Sequence, residues 1–160
     1  MVNIPSKAKK IFKGVLHDVY QWQQTLYDGS TKTFEMIKRR PSVYVIATMR
    51  QKILVLRQKQ PGRDWFPSLP GGWRNVKEDA LKAAERELLE ETGHESKQWK
   101  IIIESNGSPH MYFHEIVFAA NDCQKMAEQK LDGGEIIEVS PVSFQQFLQA
   151  DCGILQCRWN

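Results

Sequence analysis

A chain of 160 residues with 41% apolar and 26% charged residues has the make-up of one soluble folded domain, and excludes a collagen-like, disordered or membrane-spanning polypeptide. No apolar run reaches the ~20 residues that a bilayer crossing needs, and the basic stretch 1–10 is followed by no signal-peptide core. The formal charge of +3 suits a polyanionic substrate but serves solubility equally well.

Residues 11–20 and 22–27 are expected as strands, with Asp28-Gly29 as the turn into a returning strand over 31–38. The basic triplet Lys38-Arg39-Arg40 then precedes Pro41; it is either a charged strand end or a contact for phosphate or nucleic acid. Residues 43–48 form a β-branched and aromatic run, as in a strand buried on both faces. A second strand is expected over 52–57, followed by a loop over 58–69 carrying Trp65 and Phe66. Such aromatics pack in cores or lids, although a base can stack on an exposed one.

Beyond a central helix, strands are expected over 99–104 and 111–119, separated by a loop containing Asn106-Gly107 and Pro109. A short polar helix over 122–130, a turn over 131–134 and a strand over 135–139 follow. Ser143 with Gln146 caps a last helix over 144–150. The order implies a mixed sheet sandwiched by helices, in a single domain over residues 1–160 with residues 1–40 as an N-terminal antiparallel extension. Cys123, Cys152 and Cys157 match no zinc or disulfide spacing, so reduced thiols and a cytoplasmic location are expected.

The central helix is expected over 76–92, from a capping box formed by Asn75 and Glu78 to a left-handed stop at Gly93. Ala, Leu, Glu, Lys and Arg, all strong helix formers, fill it. At about 100° per residue, Glu91 lies about 40° to one side of Glu87 and Glu90 about 60° to the other. Leu81, Ala84 and Leu88 form an apolar stripe adjoining Glu87 and Glu91. Like charges so placed cost a helix a few tenths of a kcal/mol per pair. Such crowding at a buried edge points to a hard divalent cation, because Mg²⁺ takes one or two carboxylates and completes its shell with water and phosphate. Backbone N–H groups of Gly71 and Gly72 could cradle that phosphate, and the loop's carbonyls could ligate the metal.

Gly72, five residues, Glu78, seven residues, then Arg86-Glu87-Leu88-Leu89-Glu90-Glu91-Thr92-Gly93 resembles the Nudix box. At background frequencies its seven polar or glycine matches recur by chance on the order of once in 10⁸ windows. His94 departs from it, standing where the family usually has an aliphatic residue. Three further features resemble the ADP-ribose and nucleoside diphosphate sugar pyrophosphatase branch. About forty strand-like residues precede Val43, Ser108-Pro109 lies just past the box, and Asp132-Gly133-Gly134-Glu135 looks like the branch's acid-bearing loop. Two departures also stand out: Arg57-Gln58-Lys59-Gln60 where the branch has an arginine after the glutamine, and Ser68 where it often has an acid.

The resemblance implies a Nudix-like α/β/α sandwich. It also implies Mg²⁺-dependent hydrolysis (Mn²⁺ as a substitute) of a nucleoside diphosphate sugar to a nucleoside monophosphate and a sugar phosphate. Glu87, Glu91 and Glu90 are the expected metal ligands, with Gly71 beside them. Glu135 is the expected general base, with Glu115 and Glu138 as rivals, and Glu90 and Arg86 complete the catalytic set. Arg86 lies one turn before Glu90 and is expected to hold a carboxylate in place. Gly71, Gly72, Arg57 and Pro109 are expected at the substrate, and the N-terminal strands at a homodimer interface. ADP-ribose, ADP-glucose and GDP-mannose are candidate substrates. Two other readings stay open: hydrolysis of (deoxy)nucleoside triphosphates, dinucleoside polyphosphates or RNA 5′ ends, and a nucleotide-binding module without catalysis.

Overall fold

The computed structural model describes residues 3–75 and 77–149. The chain opens with β1 (Lys9–Lys13), β2 (His17–Thr25) and β3 (Thr31–Arg39). Then come β4 (Ser42–Met49), β5 (Lys52–Gln60), β6 (Arg63–Ser68) and β7 (Gly71–Trp73). Helix α1 (Ala80–Thr92) leads into β8 (His94–Glu95), β9 (Gln98–Ser108) and β10 (Met111–Asn121). The last elements are β11 (Gln124–Lys125), β12 (Ile136–Val142) and α2 (Phe144–Gln149). The sheet is mixed, since β10 runs parallel to β3 while the β2–β3 and β5–β12 pairs are antiparallel. With few helices the class is α+β. Among the described residues no helix is long and apolar enough to cross a membrane.

Two compact units emerge. Among the described residues the first is Asn3–Ser42 with Glu104–Glu115, and the second is Val43–Ile103 with Ile116–Gln149. In the first unit β1, β2 and β3 form an antiparallel meander, turned between β2 and β3 at Asp28-Gly29. Gly29 has φ of 82°, which glycine adopts without a Cβ penalty, and Asp28 Oδ1 accepts from the Ser30 N–H at 2.9 Å. Arg39 pairs with Glu115 at 2.8 Å and stacks on Phe113, while Lys38 lies over Tyr112. The first two members of the basic triplet therefore have partners within their own unit.

In the second unit a helix covers each face of the sheet. Strand residues alternate faces, so Leu54 packs with Val43, Val45, Ala47 and the α1 residues Ala83, Ala84 and Leu88. Ile53 and Val55 point the other way, onto Leu69 and the α2 residue Phe147. Strand β5 is the hub. One edge pairs with β12 from Ile53 to Lys59, and the other passes from β4 to β6.

Several boundaries differ from the sequence reading. The first break falls at Gly14, between β1 and β2, because its N–H donates to His17 O and a Cβ there would strike the same carbonyl. Residues 58–69 are no loop: β5 continues to Gln60 and returns as β6 through the Pro61-Gly62 turn. Residues 105–108 continue β9, and the reversal comes at Pro109-His110. Residues 122–130 form no helix. Their amides are drawn to the carbonyl end of α1 instead, with Met126 N–H on Gly93 O at 2.8 Å and Lys130 N–H on Glu90 O at 2.8 Å.

Helix α1 starts at Ala80, capped by Asp79, whose Oδ1 accepts from Leu81 and Lys82 N–H at 2.9 and 3.2 Å. Of the expected box, the Glu78 carboxylate does reach back to Asn75 N–H at 2.8 Å, but one turn ahead of the helix. Val76, Ala150, Cys152 and Cys157 lie outside the described residues. Gly93 terminates the helix as expected, with φ of 69° and its N–H on Leu89 O. His94 is buried, and its Nδ1 lies 2.8 Å from Thr92 O, so hydrogen bonding lets an imidazole stand in an apolar position. At the last helix, Ser143 and Gln146 exchange both capping bonds, at 2.9 and 3.2 Å.

Candidate functional site

Close packing between the glycine loop and α1 builds the site in the second unit. A Cβ on Gly71 would collide with Val43 O and Tyr44 Cα, and one on Gly72 would lie 2.6 Å from Glu87 Oε1. Only bare backbone lets the loop run against the helix carboxylates. Glu91, one turn on from Glu87, is 7% exposed and takes the Gly71 N–H on Oε2 at 2.7 Å. That N–H, expected to face a phosphate, is therefore spent on Glu91, because a buried carboxyl oxygen needs a donor more than an exposed anion does.

Arg86 organises the remaining acids. Its Nε donates to Glu78 Oε1 at 2.9 Å and its Nη1 to Glu87 Oε1 at 2.8 Å and Glu90 Oε2 at 3.1 Å. Its Nη2 adds Trp73 O at 3.2 Å, tying β7 to the helix. The planar fork suits this multiple grip, and one ammonium could not copy it. The Arg86 hydrogen bond holds Glu78 below the usual carboxylate range.

Charge balance is worse deeper in. Burial raises the pKa of Glu87, partly offset by Arg86, with Glu90 and Glu135 adding repulsion. Burial pushes Glu91 up to about 8, against the pull of the Gly71 N–H, and Glu87, Glu135 and Glu90 all raise it further. Among the described residues no three carboxylate, imidazole or thiolate groups converge as a ligand cage. Glu87 and Glu90 turn onto Arg86, and Glu91 onto Gly71. The donor set nonetheless fits a hard divalent cation: mutually repelling carboxylates, with Glu91 buried and Glu87 and Glu90 paired to Arg86.

Glu135 stands just before β12. Its N–H donates to Asp132 O at 3.0 Å, and its Oε1 accepts from Gln60 Nε2 at 3.1 Å. Burial and the Asp132 charge raise its pKa. It lines a cavity of about 560 Å³ with the Pro61-Gly62 turn and the Gly133-Gly134 loop. The structure thus gathers Arg86, Glu87, Glu90, Glu91, Gly71, Gly72 and Glu135 in one unit, where the charges of α1 and the loop sense one another.

Arg57 points to the opposite face of β5 from Leu54 and Leu56, pairs with Glu138 at 3.1 Å and stacks 4.3 Å from the Trp65 ring. Phe66 is likewise covered, by Arg63 at 3.4 Å. Pro109, at the β9–β10 turn, and Glu115, within β10 and paired with Arg39, belong to the first unit. Sequence reasoning marked Gln58, Gln60 and Ser68 only within departures from the branch's pattern, and missed that they form a polar chain leading to Glu135. The signal was available, since period-two spacing from Leu54 and Leu56 puts both glutamines on the α1 face once the strand runs to Gln60.

The sequence matches the family profile described as NUDIX domain over residues 38–154. It is 31% identical over 146 residues to an ADP-ribose pyrophosphatase of Bacillus subtilis (strain 168), covering 88% of this chain and 78% of the relative. It is 29% identical over 148 residues to a methanol dehydrogenase activator of Bacillus methanolicus, covering 89% of this chain and 80% of that one. Its fold is similar to a crystal structure of an ADP compounds hydrolase, with TM-score 0.72 at 15% identity over 92% of this chain and 83% of the other.

Proposed function

The chain belongs to the NUDIX family as a hydrolase similar to the ADP-ribose pyrophosphatases, and on that premise we propose that it cleaves the pyrophosphate bond of a nucleoside diphosphate sugar, ADP-ribose first among the candidates. The products are a nucleoside monophosphate and a sugar phosphate. The observation that carries this reading is a set of acids packed against a glycine loop, in a chain nearly one-third identical to an ADP-ribose pyrophosphatase along most of its length.

Nudix hydrolases generally use a divalent cation such as Mg²⁺; in this chain Glu87, Glu91 and Glu90 would hold it, with the Gly71 loop alongside. When bound, the ion neutralises phosphate charge and lowers the pKa of an attacking water. The chain's own residues do the rest. Gly71 N–H orients Glu91, and Arg86 sets Glu87 and Glu90 in place. Glu135 accepts the proton of the attacking water at its carboxylate, and a pKa lifted by burial brings that group nearer to neutral pH, where a base works best. The cavity beside Glu135 gives the sugar or nucleoside moiety room.

Exposed Ile11, Phe12, Val15 and Leu16 in the first unit support a homodimer through the N-terminal strands, and light scattering on the purified protein tests it. The cysteine pattern supports a cytoplasmic location. The deciding experiment is incubation with a panel of nucleotide sugars, nucleoside triphosphates, dinucleoside polyphosphates and capped or triphosphorylated RNA in Mg²⁺. Nucleoside monophosphate released from ADP-ribose is the expected result. Turnover confined to triphosphates, with pyrophosphate as product, would replace this reading with the triphosphatase one.

A further inference from the structure

We propose that Gln60 is a positioning residue for Glu135, and that Gln58 and Ser68 extend its hold, so that one hydrogen-bonded chain across β5 and β6 ties the base to the glycine loop. The inference rests on the reading of Glu135 as the proton acceptor. Gln60 Nε2 donates to Glu135 Oε1 at 3.1 Å and to Gln58 Oε1 at 3.2 Å, which uses both of its hydrogens. Gln58 Nε2 in turn donates to Ser68 Oγ at 2.6 Å. Gln58 is 8% exposed, and a buried amide is costly to leave unpaired. The chain is therefore ordered from its buried end outward: Ser68 fixes Gln58, Gln58 fixes the rotamer of Gln60, and Gln60 fixes the carboxylate.

Two features of the sheet aim Gln60 there. Lys59 is paired with Ile136, so one step further along the antiparallel register Gln60 comes opposite Glu135, within cross-strand reach. The β5–β6 pairing also shifts register between Gln58 and Gln60, and such an irregularity re-aims a side chain. At its far end the chain reaches Ser68, at the close of β6. Ser68 is three residues before Gly71, whose N–H holds Glu91, and Pro70 O accepts from Val45 N–H at 2.8 Å. Glu135 follows two glycines that supply little rigidity of their own, so the cross-strand amide supplies it. The charged groups that face Glu135 are Asp132 on its loop, Glu87 and Glu91 on α1, and Lys59, Arg63 and Asp64 around the shared cavity.

The test compares Q60A, Q60E and Q60R with E135Q in the full chain. AMP release from ADP-ribose in Mg²⁺ is followed as kcat and KM separately across pH. In parallel, ¹³C-carboxyl NMR titrates Glu135 in the metal-free protein, with E135Q identifying its resonance. In Q60A kcat is expected to fall about 10- to 100-fold, the scale of a small misplacement, with KM changed by less than about 3-fold. The acid limb of the kcat profile and the Glu135 titration are expected to move to higher pH in Q60E, where two carboxylates repel. Both should move to lower pH in Q60R, where a guanidinium attracts. A side chain that only supported the fold would not shift them in opposite directions. If E135Q costs 100-fold or more while Q60E and Q60R shift neither limb nor resonance, the positioning role falls and the base assignment stands. If E135Q turns over like the parent, both fall.

Discussion

Glu91 shows how one side chain can carry both a cost and a function. Its carboxylate is nearly closed off from water, the backbone N–H of Gly71 donates to it, and three other acids raise its pKa. Glu91→Gln keeps a carbonyl oxygen for the Gly71 N–H but removes the charge. We expect turnover to fall about 10³-fold or more in Mg²⁺, with the circular dichroism spectrum and unfolding cooperativity unchanged; parent-like turnover would remove Glu91 from the mechanism. Arg86→Lys is expected to lower kcat about 10-fold or more, because one ammonium cannot hold Glu78, Glu87 and Glu90 at once. Crystallography of that variant checks the cause, which requires Glu87 or Glu90 to have moved.

At the scale of elements, the two ends of α1 obey different rules. Its stop was legible in sequence because Gly93 acts locally: φ is positive, and its N–H returns to Leu89 O. Its start was not, because Asn75, Glu78 and Asp79 all look like caps and tertiary contacts choose among them. Arg86 draws Glu78 away from the helix end and leaves the cap to Asp79. Asp79→Ala is therefore expected to cost about 1 kcal/mol in urea unfolding and Asn75→Ala about half that or less; equal losses would place the cap wrongly. Gly72→Ala tests the loop. The added methyl meets the Glu87 carboxylate, so activity should drop about 10-fold or more while stability changes little, read by kcat beside a thermal melt.

At the scale of the molecule, the acids link stability to pH. Folded Glu91 keeps its proton up to about 8, while in the unfolded chain it loses it near its ordinary value of 4.5. Between those values the unfolded state binds fewer protons, so stability is greatest at the acid end and falls as pH rises through the window. Glu87 and Glu135 are raised too and act in the same direction. In a chelator, the urea midpoint should decline from about pH 5 to about pH 8, and Glu91→Gln should flatten much of that slope. Adding Mg²⁺ or Mn²⁺ should restore stability most at the alkaline end, where the ligands are ionised. A cation at 100 times its Kd contributes about 2.7 kcal/mol. A midpoint indifferent to cation at pH 8 would contradict a metal site at these glutamates.

The amino-acid sequence by itself determined the acid-rich helix, its glycine neighbours, the Asp28-Gly29 turn and the Ser143–Gln146 cap. Each of these is written in residues a few positions apart and needs nothing distant to form. Tertiary structure alone decided that Gln60 meets Glu135, that Arg57 pairs with Glu138 on the other side of β5, and that residues 122–130 serve the end of α1. The reason is physical: strand register and the satisfaction of buried polar groups depend on partners tens of residues away, so local preference is overruled wherever a distant group holds the stronger claim on a donor.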